Sequence, residues 1–445
     1  MNEVTKIDGI GSSVRRTEDK KFLTGKGKYT DDINRPGQVQ AYFLRSDVAH
    51  AKIKKIDIKN AQSAPGVVGV FTGNDIAADK VGGPICGWVV PCRDGSATKE
   101  PPHPLLAQGK VRFVGDAIAV VLAETVEQAK SGAELIDVDF EELSPVVDFE
   151  NAGAGAQIHD EVPNNCYFDW ELGDEKGTDD ALSGAKKVVK LRVRNNRLVP
   201  NAMEPRSALA EFDSIDDSYT LHTTSQNPHL TRLVLAAFMF AIPESKLRVV
   251  APDVGGGFGS KIYVYIEEAV CVWASKKIGR PVKWTAYSNQ AILTDCHGRD
   301  HVNDVQLALD ENNKIVGLRV DTVCNLGAYL SAFSVVVPTI LHGTLLSGQY
   351  DIPAIYTNVK GMATNTVNVD AYRGAGRPEA TYLLERTMET AAKEVGIGRV
   401  KAGFHFLSDH VAGQMLGTKM FEQMNKGDYG DSLREYYLLG TPEYD

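Results

Sequence analysis

The sequence predicts an α+β protein in which an N-terminal α/β unit precedes a larger mixed region, and three observations carry that reading. Short runs with partly alternating apolar residues stand near the N-terminus. Stretches with apolar residues at spacings of three and four stand in the middle and near residue 390. An acidic segment that turns Gly/Ala-rich separates the two parts. At 445 residues the chain exceeds the roughly 250–300 residues at which a single core stops growing, so more than one domain is expected.

In chain order, residues 39–45 (VQAYFLR) and 52–58 (KIKKIDI) alternate as strands with one buried face. The run 111–123 (VRFVGDAIAVVLA) is β-rich. Thr125 follows it with Gln128 three residues on, a capping box that opens a helix with Ala129, Ala133 and Ile136 on one side. A strand at 136–140 completes this unit. DFEELSPVVDFENAGAGA then has the composition of a connector, which puts a boundary near residue 150. The expected organisation is an extension over 1–20, a first domain over 21–150, a second over 151–397 and a divergent segment over 398–445. Within the second, strands are expected at 187–194 and 219–225. A helix is expected at 229–241, from Leu230, Leu233, Val234, Ala237, Phe238 and Ala241, and another at 264–278. VQLALD and KIVGLRV flank Glu311, Asn312 and Asn313 as a hairpin. A helix over 379–395 carries Leu383, Leu384, Glu385, Met388, Ala391 and Val395 and stops at Gly396.

Composition excludes several functions. With 43% hydrophobic and 24% charged residues the chain reads as globular, and no run of about 18 apolar residues is available to span a bilayer. The N-terminus lacks the apolar core of a secretory signal, so a cytoplasmic protein without membrane insertion is expected. A net charge of -10 and a pI near 5.6 argue against nucleic acid, which demands a basic face. Cys86, Cys92, Cys166, Cys271, Cys296 and Cys324 form no CxxC pair, so neither a zinc nor an iron–sulfur site can be built locally, and reduced structural thiols are expected.

Four segments carry possible chemistry. In Val254–Lys261, Gly255, Gly256, Gly257 and Gly259 surround Phe258 after the strand-like LRVVAPD. Such a loop tolerates left-handed backbone and brings N–H groups close to an anion or oxo group, although a tight turn would also explain one or two of these glycines. It is not a phosphate-binding P-loop, because Ser260 precedes Lys261. Asp370–Glu379 (DAYRGAGRPE) interleaves Arg373 and Arg377 with Gly374 and Gly376 before a helix, an arrangement that suits anions; exposed arginines are more often merely solvated. In TTSQNPH, Gln226 can donate to a ligand oxygen, while Asn227 or Thr224 can cap the helix that follows. The spacing of Met203-Glu204-Pro205-Arg206 reveals no chemistry of its own. Read alone, these loops also suit a phosphate- or nucleotide-binding protein.

Together and in this order, MEPRSALAEF, TSQNPH, GGGFGSK and AYRGAGRPEA resemble the signatures of the molybdenum hydroxylase large subunit, the family of xanthine dehydrogenases, aldehyde oxidases and carbon monoxide dehydrogenases. FLTGKGKYTDD and VRFVGDAIAVVLAET resemble the a/b hammerhead domain that precedes them. The resemblance implies a molybdenum–molybdopterin cofactor, in its cytosine dinucleotide form, with no protein side chain ligating the metal. It assigns to the cofactor site Gln226, beside an oxo ligand, the loop of Gly256, Gly257, Phe258 and Gly259, and Ala371, Tyr372, Arg373 and Gly374. It further implies hydroxylation of a small-molecule substrate with water as oxygen source, and electron transfer to a 2Fe-2S subunit and an FAD-binding subunit. The sequence departs from the pattern in three ways. The second cofactor-binding domain and its catalytic glutamate find no match, so no residue is assigned as base and a further chain carrying that domain is an expected partner. Gly374 stands where copper-dependent carbon monoxide dehydrogenases have cysteine, and Ile262 where purine-specific members have glutamate. An aldehyde or N-heteroaromatic substrate is the expectation that remains; an inactive fragment is the alternative.

Overall fold

The computed structural model describes residues 15–395. Most of the expected 1–20 extension, the helix stop at Gly396 and the 398–445 segment lie outside the described residues. The strands, in chain order, are β1 (Val39–Arg45), β2 (Ala51–Asp57), β3 (Val67–Thr72), β4 (Lys110–Val111), β5 (Ala117–Ala123), β6 (Asp137–Glu142), β7 (Cys166–Gly173), β8 (Lys187–Asn195), β9 (Ser207–Asp213), β10 (Ser218–Thr223), β11 (Leu247–Val250), β12 (Val282–Thr285), β13 (His301–Leu309), β14 (Ile315–Gly327) and β15 (Ile355–Ala363). They form a seven-stranded sheet of order β11-β10-β9-β12-β1-β5-β3, a five-stranded sheet β7-β15-β14-β13-β8 and a three-stranded sheet β4-β2-β6. The α+β expectation holds.

Strands from both sides of residue 150 share the largest sheet, because β1 runs parallel to β12 with Val39 opposite Val282 and antiparallel to β5. β5 is buried along its whole length. Its alternation divides it between two cores: Val120 and Leu122 join the cluster that includes Phe43, Leu221 and Trp284, while Ala119, Val121 and Ala123 pack with Ala129 and Ala133 of the helix Val126–Glu134. That helix starts as expected, Gln128 N donating to Thr125 Oγ1 and Thr125 N to Gln128 Oε1, each at 3.2 Å. The acidic connector is not loose. Val146, Phe149, Ala152 and Ile158 are buried in the core of the five-stranded sheet, and Val146 N donates to Asn365 Oδ1 at 2.9 Å.

The expected helix at 229–241 requires correction. It is a short α-helix, Pro228–Leu233, that widens into a π-turn over Val234–Met239. Phe240 N donates to Leu235 O at 2.9 Å, and Ile242 N to Ala236 O at 2.9 Å. Of the expected stripe, Val234 is in the core and Leu230 packs against it, but Leu233 and Phe238 are exposed, and through the wider turn Leu235, Ala236 and Met239 enter the core. The helix Ile266–Ile278 begins two residues later than expected and is buried on nearly all sides against the large sheet. β13 and β14 form the expected hairpin. The last described helix, Arg377–Glu394, lays Leu383, Leu384, Met388 and Ala391 on Val189, Leu307 and Val320 of the five-stranded sheet. Its N-terminal end comes to lie beside the loop after β11.

Candidate functional site

The glycine loop leaves β11 at Val250 and reaches its helix only at Ile266. Three of its residues are left-handed: Gly256 (φ 93°), Phe258 (φ 52°) and Gly259 (φ 104°). At Gly259 the requirement is also steric, since a Cβ there would stand 2.3 Å from Ala371 O. The two loops touch: Arg373 N donates to Phe258 O at 2.8 Å.

Gln226 ties the third segment to the same place. Its Oε1 accepts from Gly259 N at 2.9 Å and from Lys261 N at 3.3 Å, and its own N donates to Lys261 O at 2.8 Å. Because two backbone donors claim the carbonyl end, the amide nitrogen is the end left for a ligand. Asn227 separately caps the helix, accepting from Leu230 N at 3.4 Å. The capping reading of TTSQNPH holds at Asn227, and the neighbouring Gln226 keeps its amide nitrogen without an acceptor among the described residues.

Glu204 and Lys261 also belong to this place, which the sequence does not reveal. Glu204 Oε2 accepts from Gly255 N at 2.6 Å and from Lys261 Nζ at 3.0 Å, and Glu204 O accepts from Lys261 Nζ at 2.7 Å. Lys261 is buried, and burial draws its ammonium below the ordinary range against the pull of Glu204. The pair closes both ends of the glycine loop. A glutamate in one motif and a lysine in another were visible, but nothing in their spacing says they meet. Asp370 is a third such residue. It accepts from the Ser331 hydroxyl, from Phe333 N at 2.9 Å and from Ala371 N at 2.5 Å. Burial pushes its carboxyl up to about 6.

Arg206, from the first motif, lies elsewhere. It is buried between Glu267 and Asp295, behind the loops. Arg373, by contrast, is exposed and its guanidinium meets no acceptor among the described residues, while Arg377 turns back onto Ala375 O at 3.1 Å. The N–H groups of Gly256, Gly257, Phe258 and Gly374 likewise find no acceptor among the described residues.

The assembled surface is thus a set of donors, four backbone N–H groups, the Gln226 amide and the Arg373 guanidinium, with the half-exposed Phe258 ring among them. Among the described residues no group of His, Cys, Asp or Glu is arranged to hold a metal ion. The six cysteines are free thiols. A ligand rich in acceptors, carrying any metal on ligands of its own, fits this chemistry; a metal bound directly by side chains does not.

Two family models match most of the chain. The molybdopterin cofactor-binding domain family matches residues 158–402, and the aldehyde oxidase and xanthine dehydrogenase a/b hammerhead domain matches residues 24–144. The carbon monoxide dehydrogenase large chain of Hydrogenophaga pseudoflava is 34% identical over 448 residues, covering 96% of this chain and 53% of that one. The crystal structure of quinoline 2-oxidoreductase from Pseudomonas putida 86 superposes with a TM-score of 0.80 at 32% identity, over 88% of this chain and 50% of that one. The nicotinate dehydrogenase large molybdopterin subunit of Eubacterium barkeri is 26% identical over 412 residues, covering 92% of this chain and 91% of that one. The chain spans about half the length of most of the curated relatives it matches. Among the described residues no helix is long and apolar enough to cross a membrane. With its hammerhead domain and its cofactor-binding domain, the chain belongs to the molybdopterin-binding large-subunit family of the molybdenum hydroxylases.

Proposed function

We propose that this chain forms one half of the cradle for a molybdenum–molybdopterin cofactor, in its cytosine dinucleotide form, within an oxidoreductase that hydroxylates an aldehyde or N-heteroaromatic compound. The observation that carries the reading is the convergence of Gln226, Gly256–Gly259 and Ala371–Gly374 into one donor surface. The Gln226 amide and the N–H groups around Gly257 and Phe258 would hold the acceptor atoms nearest the metal, and Arg373 would stand beside it. When bound, the cofactor supplies two-electron chemistry with water as the oxygen source. The protein supplies fixed dipoles that need no reorganisation during the reaction.

Two substrate classes are disfavoured. At Gly374 the backbone has φ 105°, and a Cβ would stand 2.5 Å from Pro378 Cγ, so a cysteine thiolate, the ligand that selects Cu(I), has no room there. Ile262 packs against the apolar cluster of Tyr263, Tyr265 and Ala371 where a purine-binding glutamate would be needed. Electrons would pass to a 2Fe-2S subunit and an FAD-binding subunit, and the second half of the cradle would come from a second cofactor-binding domain, in cis or in trans.

The test is to purify the chain with the proteins that accompany it from its own cells. Molybdenum and released cytidine monophosphate are then measured, and quinoline, nicotinate, benzaldehyde and carbon monoxide are assayed with an artificial electron acceptor. Molybdenum near one per chain and oxidation of an N-heterocycle or aldehyde are expected. Metal-free protein, or turnover of carbon monoxide alone, would overturn the reading.

A further inference from the structure

Behind the Arg373 loop lies an arginine that belongs to none of the four motifs. Arg299 is buried, and both it and Asp300 are left-handed (φ 68° and 69°) although neither is glycine. Non-glycine residues hold such a conformation only where their surroundings over-determine it. Here Asp300 Oδ2 accepts from Arg197 Nε at 2.8 Å and from Asn325 Nδ2 at 3.0 Å, and a Cβ at the neighbouring Gly298 would stand 2.3 Å from Tyr372 Cβ. The strained corner is therefore pinned from one side and pressed against the loop on the other.

The guanidinium of Arg299 spans three points of the turn. Its Nη1 donates to Tyr372 O at 3.2 Å and to Glu379 Oε1 at 2.9 Å; its Nη2 donates to Arg373 O at 3.1 Å. The group also lies 4.9 Å from the centroid of the Tyr372 ring. Glu379 is wholly buried, and the histidines packed near it, His342 and His301, are both pushed down to about 3 by burial and are neutral at neutral pH. Arg299 thus supplies the positive charge that this carboxylate faces.

The consequence follows from peptide geometry. In a trans peptide the C=O and N–H point in opposite directions. With Tyr372 O turned toward Arg299, the N–H of Arg373 points away from it, and that N–H meets Phe258 O at 2.8 Å. With Arg373 O also turned toward Arg299, the N–H of Gly374 points away as well, and it has no acceptor among the described residues. We propose that Arg299, clamped by Glu379, is a positioning residue that orients these two peptide planes, locking the Arg373 loop to the glycine loop and presenting the Gly374 N–H as a donor to the bound cofactor. The last clause rests on the proposed cofactor site; the locking of the loops does not.

The experiment separates the two. The full chain, produced without molybdenum, is compared with Arg299→Lys, Glu379→Gln and, as a surface control, Arg192→Gln by amide hydrogen exchange, and the same variants are assayed for molybdenum content in the assembled enzyme. A lysine keeps the charge but not the three-point fork. In Arg299→Lys the hydrogen-bonded amides of residues 371–376, those of Ala371, Arg373 and Ala375, should exchange at least about tenfold faster while those of the helix Ile266–Ile278 keep their protection, and molybdenum content should fall. Glu379→Gln should show a smaller change of the same kind, and Arg192→Gln none. Unchanged protection of 371–376 in Arg299→Lys would overturn the proposal, and so would loss of protection throughout the chain, because the role would then be structural. A metal-free wild type would overturn the cofactor reading while the exchange data still decide the locking.

Discussion

Two arginines from the motifs, Arg206 and Arg373, are alike in sequence context, each beside a proline or glycines and each followed by a regular element. The fold treats them oppositely. Arg206 lies at the junction of the two halves of the chain: its Nε donates to Asp295 Oδ1 at 2.6 Å, its Nη1 to Glu267 Oε2 at 2.8 Å and its Nη2 to Thr294 Oγ1 at 3.0 Å, with its guanidinium 3.6 Å from the centroid of the Tyr265 ring. Arg45 of β1 reaches the same Glu267 at 2.7 Å. Arg373 stands at the rim, exposed, with only its backbone engaged. The difference teaches that the arginine that braces the fold and the arginine proposed for ligand recognition are separate residues. One is held by partners on every side, and the guanidinium of the other meets no acceptor among the described residues.

The sharpest way to break that comparison is at the junction. Arg206→Ala leaves Glu267 and Asp295 buried without their main counter-charge, and should destabilise the protein by about 3–5 kcal/mol. Urea unfolding followed by fluorescence would register this as a lower midpoint. A shift no larger than that of a surface variant would show that the cluster is not what joins the halves. Acid probes the same cluster without mutation. Burial raises the Glu267 carboxyl, but Arg206 and Arg45 outweigh it and hold it at about 2, below its ordinary value of 4.5. A depressed carboxyl contributes its stability above about 4.5 and loses it as the pH falls toward 2. Glu267→Gln should therefore have a lower melting temperature than wild type at pH 6 and a smaller difference at pH 3; a constant difference would refute the pairing.

Effects at the rim should be smaller on stability and larger on the cofactor. Gln226 lies between the two extremes, because its carbonyl holds Gly259 N and Lys261 N while its amide nitrogen meets no acceptor among the described residues. Gln226→Ala should cost about 1–3 kcal/mol through the backbone donors it strands, and should also lower molybdenum content in the assembled enzyme. Full metal at reduced stability would make it purely a loop brace. Arg373→Ala should change stability by about 0.5 kcal/mol or less, yet slow substrate oxidation at unchanged melting temperature. A variant that melts early in proportion to its lost rate would move Arg373 to the structural side of the comparison.

What the sequence determined by itself is whatever acts within a few residues. The Thr125–Gln128 capping box, the β13–β14 hairpin and the burial alternation of β5 are all legible, because backbone propensity and side-chain period are local properties. The left-handed glycines are legible for the same reason, and the ordered motifs marked out the segments that hold Gln226, Phe258 and Arg373. Tertiary structure alone decided the partnerships. Gln226 meets Gly259 across 33 residues, Glu204 meets Lys261 across 57 and Arg299 meets Glu379 across 80. β1 finds β12 across the polar segment that looked like a boundary, and at the π-turn the stripe that periodicity expects to be buried is split, Val234 in the core and Phe238 exposed. Periodicity and motifs describe what a backbone can do and which side chains it carries. Whether an arginine ends among buried carboxylates or at a ligand's edge depends on what packs over it, and that is set by contacts between residues far apart in the chain.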